Sequence, residues 1–424
     1  MATTAVQSIT DICRAAKRAS RELAQLETGV KNRALNAIAD AVEARVGEVL
    51  EANGRDMEGG RAADLNAAFL DKLRLDESRV AAMADGVREI VALRDPVGEV
   101  IEGFRLPNGL DVRKVRAPLG VVAVVYEARP NVTIDCTGLA IKSGNAIVLR
   151  GSSQAAHSNA VLASIATAAA TDAGLPEGSI GLVAGGGREE LADLATQDGL
   201  VDLIVPRGGE GLKAALKDVA TVPVIYAASG NCHVYVDAGA DLDEAEAIVI
   251  NAKTQRPGVC NAIETLLVHR DVASDFLSRV LRSLREAGVE LRADGRAKAA
   301  AGELADSLLD ATDEDWDTEF LAMILAVGVV DSLEEAVAHV NAHGSGHSEA
   351  IVTPSADSAR AFQLGVDAAC VYVNASTRFT DGGVFGMGAE IGNSTQKLHA
   401  RGPIGMRELC TYKYLVEGSG QVRP

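Results

Sequence analysis

The sequence predicts an α/β protein built on parallel sheets, with a helical N-terminal segment and a small antiparallel β element. Three observations predict it. Short, β-branched, almost wholly apolar runs alternate with helical stretches over residues 119–226, and the alternation resumes from 232 to 373. Apolar residues recur at every third and fourth position through residues 5–95. Two extended runs flank Pro107-Asn108-Gly109, and Asn-Gly is a strong hairpin-turn signal.

In chain order, VQSITDICRAAKRASRELAQLE and VKNRALNAIADAVEARVGEVLEA read as amphipathic helices. VGEVIEGFRLPNGLDVRKVRAP, residues 97–118, reads as a two-stranded ribbon. Such a ribbon is marginal alone, so pairing with another subunit is expected. GVVAVVY, NAIVLR, GLVA and VDLIV read as strands covered on both faces, with SQAAHSNAVLASIATAAATDAG and GLKAALKDV as helices among them. That is the pattern of a doubly wound sheet. A second block follows: HVYVD, a helix over 242–254, ETLLVH, a helix over 271–287, AMILAVGVV, a helix over 332–341, EAIVT, a helix over 355–364, and CVYVN. Residues 290–320, rich in Ala and Asp, carry the least pattern. From Gly392 to Tyr414 the chain is polar and irregular, as a segment covering a site or an interface would be.

A chain of 424 residues has room for two or three domains. Its 47% hydrophobic and 24% charged residues are those of a globular protein. Against 59 acidic residues stand 41 basic ones, a net charge of −18 that repels phosphate backbones and anionic membranes. Nucleic acid and membrane are therefore not expected partners, and 3% aromatic residues leave little for base stacking. The start, MATTAVQSITDICRAAKRAS, lacks the apolar core of a signal peptide. No apolar run reaches the roughly 18–20 residues of a membrane span. Cys13, Cys136, Cys232, Cys260, Cys370 and Cys410 are scattered without a CxxC pair, which fits a reducing cytoplasm.

Cys260 stands out in NAKTQRPGVCNAIETLLV, after Arg-Pro-Gly and before an apolar run. The thiolate is the attacking form, and an ordinary thiol with a pKa of about 8.5 is mostly protonated at neutral pH. Arg256, Lys253 or nearby backbone N–H groups would lower that value, and Gly258 lets backbone approach a substrate. Local sequence alone leaves Cys260 between nucleophile and buried core residue; the other five cysteines read as core. Gly151-Ser152-Ser153, Gly185-Gly186-Gly187 and the run Pro206 to Gly211 each follow a strand and precede a helix. Open parallel sheets hold ligands at such turns, and helix N-termini offer N–H groups to phosphate. No strict GxGxxG occurs, and each turn taken singly also serves as a tight connection. Arg129, Arg256 and Arg378 sit in polar loops punctuated by Gly or Pro; as a set they suit bidentate binding of a carboxylate or phosphate, while each taken singly reads as a solvated loop charge. His343 and His347 are four apart but separated by glycines, so no metal centre is expected. No GxSxG elbow is present.

Taken together, VVYEARPNVTID, IKSGNAIVLRG, LIVPRGGEGL, NAKTQRPGVCNAIETLLV and YVNASTRFTDGGVFGMGAEIGNSTQKLHARGPIGM resemble the aldehyde dehydrogenase superfamily, and within it the branch that reduces γ-glutamyl phosphate. The likeness runs through essentially the whole chain in family order. It implies an aldehyde dehydrogenase-like α/β fold. A Rossmann-type dinucleotide domain is expected from 1–96 and 119–228, a catalytic α/β domain from 229–391, and an oligomerisation element from the 97–118 hairpin and the 392–424 tail.

The resemblance also implies roles. Cys260 matches the catalytic thiol, and Gly208 and Gly209 match the turn that holds the dinucleotide. Arg150 falls where the superfamily has a lysine on the adenosine ribose, and Glu319 where it has a glutamate on the nicotinamide ribose. Asn131 is the candidate for the oxyanion asparagine, and Arg129, Arg256 and Arg378 for the substrate's phosphate and α-carboxylate. Two departures bear on chemistry. Ala227 stands where hydrolytic relatives carry a glutamate base, which removes a means of activating water. Ser153 stands where they carry a ribose-binding glutamate, which relieves repulsion of a 2′-phosphate and favours NADPH. The implied reaction is NADPH-dependent reduction of L-glutamyl 5-phosphate to L-glutamate 5-semialdehyde through a cysteine thioester, the second step of proline biosynthesis. A homo-oligomer is expected, with glutamate 5-kinase as a further partner. The alternatives are a coenzyme A-acylating aldehyde dehydrogenase and a non-catalytic binding protein of the same fold.

Overall fold

A computed structural model describes residues 7–226 and 229–423. The chain divides into two compact units: unit 1 comprises Met1–Tyr226, Met387–Gly392 and Ile404–Pro424, and unit 2 comprises Ala227–Gly386 and Asn393–Pro403. Residues 392–424, grouped as one tail from the sequence, are shared between the two.

Unit 1 opens with helices α1 (Ile9–Leu23), α2 (Thr28–Ala44), α3 (Val46–Ala62), α4 (Ala67–Leu73) and α5 (Glu77–Ala92). Side chains fix several starts: Ser8 accepts from the Asp11 N–H, Asn66 from Phe69 and Asp76 from Arg79. A hairpin of β1 (Val100–Arg105) and β2 (Asp111–Pro118) follows. Its turn forms at Asn108-Gly109, where Gly109 takes φ +89 and Leu106 N–H reaches Leu110 O at 2.8 Å. The parallel sheet is then built from β3 (Val121–Tyr126), α6 (Val132–Lys142), β4 (Ala146–Arg150), α7 (Ala156–Asp172), β5 (Ile180–Leu182), α8 (Arg188–Ala195), β6 (Leu203–Arg207) and α9 (Glu210–Val219). Strand order is β5-β4-β3-β6. Strands β3 and β4 are buried at every residue, which explains their unbroken apolar sequence.

Unit 2 carries β7 (Cys232–Val236), α10 (Leu242–Thr254), β8 (Ile263–His269), α11 (Arg270–Glu286), β9 (Glu290–Ala293), α12 (Gly295–Ala300), β10 (Leu309–Asp310), α13 (Asp313–Trp316), β11 (Ile324–Val330), α14 (Leu333–His343), β12 (Ser348–Val352), α15 (Ala356–Gly365) and β13 (Cys370–Val373). The seven strands are parallel in the order β10-β9-β11-β8-β7-β12-β13. Phe276, Leu277, Val280, Leu281 and Leu284 of α11 pack into the main core of this unit. The segment that showed least pattern holds β9, α12, β10 and α13. Strand β9 buries only Leu291 and Ala293, too few alternations to show a period.

Two short strands close the list in unit 2, β14 (Asn393–Ser394) and β15 (Gly402–Pro403). In unit 1, β16 (Cys410–Glu417) pairs antiparallel with β2 along its full length, giving a sheet β1-β2-β16. The irregular tail read from the sequence thus ends in a strand: the aromatic and branched residues of TYKYLV suit a pleated edge. The third strand that a lone hairpin lacks comes from the chain itself. Val100, Ile101, Phe104, Tyr412, Tyr414 and Val416 of this sheet remain exposed. Among the described residues no helix is long and apolar enough to cross a membrane.

Buried Asn145 ties the last segment of unit 1 to its sheet. Its Oδ1 accepts the Gly120 N–H at 2.8 Å, and its Nδ2 donates to Leu409 O at 2.9 Å. Asn145→Ala leaves both backbone groups without that partner and is expected to cost about 2 kcal/mol. By scanning calorimetry this should appear as a loss of about 4–8 °C in Tm, with far-UV circular dichroism unchanged.

Candidate active site

Cys260 lies in the turn between α10 and β8, in unit 2. Of the six cysteines it alone is half-exposed; the other five are buried. Burial pushes the Cys13 thiol up to about 11 and those of Cys136 and Cys410 up to about 12, and holds Cys232 well above its ordinary range. Those sulfurs are inert as nucleophiles at neutral pH.

The backbone of Cys260 is pinned on two sides. The Cys232 thiol donates to Cys260 O at 3.2 Å. Gly230 packs so closely that a Cβ there would fall inside the same carbonyl group, so the position requires glycine. The next residue, Asn261, anchors a further loop: its Nδ2 donates to Thr380 O at 2.9 Å, and its own carbonyl accepts from Thr377 Oγ1 at 2.7 Å. That loop carries Arg378, half-buried, with Nε donating to Gln255 Oε1 at 2.8 Å. Burial lowers the Arg378 pKa and Arg256 adds to the effect, while Asp381 and Cys260 oppose it. Cys260 and Arg378 are thus within electrostatic reach of each other.

Arg256 is exposed just beyond the end of α10, on the approach to Cys260. Lys253, the other cation expected to act on the thiol, is fully buried and bound to Glu264 and to Ile263 O. Glu319 belongs to the same cluster: its Oε1 accepts the Gly230 N–H at 2.7 Å. Of the expected unit 2 residues, Cys260, Arg256, Arg378 and Glu319 are therefore brought together. Sequence reasoning missed Gly230, Cys232, Asn261 and Glu264; only Glu264, a charge inside an apolar strand, left a signal. Ala227 lies outside the described residues. His343 and His347 have separate partners, Asp317 and Ser348.

In unit 1 the remaining residues gather where β3, β4 and β6 end. The Gly209 N–H, at the start of α9, donates to Glu127 Oε2 at 3.0 Å, and a Cβ on Gly208 would meet Glu127 and Leu212 at 2.7 Å. Ala128 N–H donates to Ser152 Oγ at 3.2 Å, which ties the β3 and β4 turns together. Ser153 begins a short 3-10 turn, and Gly186 presses against its backbone. Arg150 is 6% exposed; it donates to Gly187 O, while its Nε is buried with no hydrogen-bond partner among the described residues. Burial lowers its pKa, with Glu190 and Glu127 opposing. Asn131 stands at the start of α6 with Nδ2 donating to Asp135 Oδ2 at 2.8 Å, so one amide proton is engaged. Arg129 is exposed in the same loop. A buried Arg150 nitrogen without a hydrogen-bond partner, beside the glycine turn that starts α8, fits a phosphate-bearing nucleotide. Among the described residues no cluster suits a metal ion.

The chain matches the aldehyde dehydrogenase family over residues 1–302 and 307–414. It is 52% identical over 408 residues to a gamma-glutamyl phosphate reductase of Syntrophomonas wolfei, covering 96% of each chain. To the enzyme of that name from Thermobifida fusca it is 51% identical over 417 residues, covering 98% of this chain and 99% of the relative. A crystal structure of gamma-glutamyl phosphate reductase from Thermotoga maritima superposes with a TM-score of 0.96 at 42% identity, covering 99% of this chain and 100% of the other. The aldehyde dehydrogenase-like α/β fold expected from the sequence is the fold observed. The chain belongs to the aldehyde dehydrogenase family, in the branch of the gamma-glutamyl phosphate reductases.

Proposed function

We propose that the protein reduces L-glutamyl 5-phosphate to L-glutamate 5-semialdehyde and phosphate, with NADPH as reductant, through a thioester on Cys260. One observation carries this reading: the single half-exposed cysteine of six lies at a pinned turn, in a chain whose full-length relatives bear that enzyme's name.

The Cys260 thiolate attacks the acyl carbon, a C–S bond forms, and the bond to the phosphate oxygen breaks as phosphate leaves with the electron pair. Arg378 lies within electrostatic reach of that sulfur. Oxyanion stabilisation by one donor is typically worth about 3 kcal/mol, and Asn131 is the side-chain candidate. Arg150, Ser153, Gly208, Gly209 and Glu319 are the residues that would hold the dinucleotide, which when bound would supply a hydride to the acyl carbon. The C–S bond then breaks and Cys260 leaves as the thiolate, freeing the aldehyde. Arg129, Arg256 and Arg378 take the substrate's phosphate and α-carboxylate. The absence of a glutamate at Ala227 disfavours hydrolysis of the thioester. The orphaned Arg150 Nε, and a serine rather than a carboxylate at 153, support a 2′-phosphate and hence NADPH over NADH. The exposed apolar residues of the β1-β2-β16 sheet support a homo-oligomer. A biosynthetic role of this kind and six free cysteines fit the cytoplasm.

Kinetics and binding test each part of this reading. Cys260→Ala should lower turnover by about 10⁴-fold or more while NADPH still binds, as read by fluorescence titration. In the reverse direction, oxidation of the semialdehyde with NADP⁺ should require inorganic phosphate; a requirement for coenzyme A instead would favour the acylating alternative. Arg150→Ala should raise the KM for NADPH about tenfold and leave that for NADH nearly unchanged, the loss of one charge-assisted hydrogen bond.

A further inference from the structure

Strand β8 is buried at all seven residues, and its neighbours on either side are β11 and β7. Its second residue is nonetheless Glu264, fully buried. The partner is Lys253, in the last turn of α10 and equally buried, which also donates to Ile263 O at 2.9 Å. A buried ion pair contributes no more stability than apolar side chains of similar volume, and frequently less. Stability therefore does not explain a charge here. Position does. Lys253 lies seven residues before Cys260 and Glu264 four after it, so the pair closes the base of the turn that presents the thiol.

Glu264 uses its second oxygen elsewhere. Oε1 accepts the N–H of Leu321 at 3.2 Å. Leu321 adopts φ +52, a left-handed conformation that a leucine holds only when its surroundings impose it. Two residues earlier is Glu319, whose carboxylate takes the N–H of Gly230, and Gly230 is the glycine packed on the Cys260 carbonyl. The contacts form a closed circuit from Lys253 to Glu264, Leu321, Glu319, Gly230 and back to Cys260. All of it lies within unit 2. Burial raises the Glu264 pKa to about 7 with Lys253 opposing, as expected of a carboxylate kept in an apolar strand by one cation.

We propose that Lys253 and Glu264 are positioning residues, with Glu264 clamping the strained Leu321 turn so that Glu319 is held in fixed register with Cys260. This rests on the proposed dinucleotide role of Glu319 and deepens it. Neither residue of the pair acts on the reacting atoms; each acts through the turn it holds.

The test uses two double variants of the full chain, compared with wild type in the NADPH-dependent reaction. Lys253→Met with Glu264→Met removes both charges and keeps the volume, so the unit stays folded while the Leu321 N–H loses its acceptor. The clamp predicts an NADPH KM raised about tenfold and kcat lowered by a similar factor, the scale expected of a small misplacement. Lys253→Met with Glu264→Gln leaves no unpaired charge and restores a carbonyl acceptor, and it should return both parameters to within about threefold of wild type. A purely structural pair would instead move Tm and leave KM and kcat alone in both variants, and that result overturns the proposal. Should the methionine variant fail to fold, Leu321→Pro decides: the side chain is half-exposed, proline has no N–H for Glu264 and cannot take the positive φ, and the change should raise the NADPH KM severalfold without a core mutation. Unchanged kinetics there overturn the proposal as well. Failure of the functional reading itself would show separately, as wild-type protein inactive on glutamyl phosphate.

Discussion

The constraint behind the rest of unit 2 is that β8 is buried along its whole length while the residue three positions before it reaches solvent. The chain must emerge from a closed core and present one sulfur within a few residues. A free loop would do that without fixing where the sulfur points. Here the turn is held from beneath by Lys253 and Glu264, from one side by Gly230 and Cys232, and from another by Asn261 and the Thr377–Phe379 turn. A side chain on a turn so braced loses little further freedom when it reacts, which is the physical content of preorganisation.

The same economy governs the parallel sheet of unit 1. Strands β3 and β4 are sealed in the core, and the polar groups proposed to bind the dinucleotide in this unit lie in the turns where they and β6 end. There the sequence changes from branched apolar residues to Glu127, Arg129, Arg150, Ser153, Gly208 and Gly209. A ligand at such an edge meets backbone N–H groups at helix starts and a few long polar side chains. The fold supplies the direction of those groups; the turn residues supply the charge.

Much of this was legible in the sequence because the signals are local. The Asn-Gly turn reads directly as a hairpin, since glycine alone takes its backbone angle without strain. Strands covered on both faces read as unbroken apolar runs, and Cys260 was marked by the Arg-Pro-Gly before it. What stayed hidden depends on contacts distant in sequence. Strand β9 buries two residues and has no period to detect. Strand β16 finds its partner in β2 almost three hundred residues earlier in the chain, which no local pattern records. The need for glycine at 230 exists only because the Cys260 carbonyl packs against it, and Glu264 gains meaning only once Lys253 and Leu321 are seen beside it.

The most direct measurement of the central claim is peptide mapping by mass spectrometry after mixing the protein with glutamate 5-semialdehyde and NADP⁺ in phosphate-free buffer. Without phosphate to release it, the acyl group is expected to accumulate as a glutamyl thioester on the peptide containing Cys260. An unmodified Cys260 alongside rapid formation of NADPH, or an acyl group carried on a different cysteine, would contradict the account.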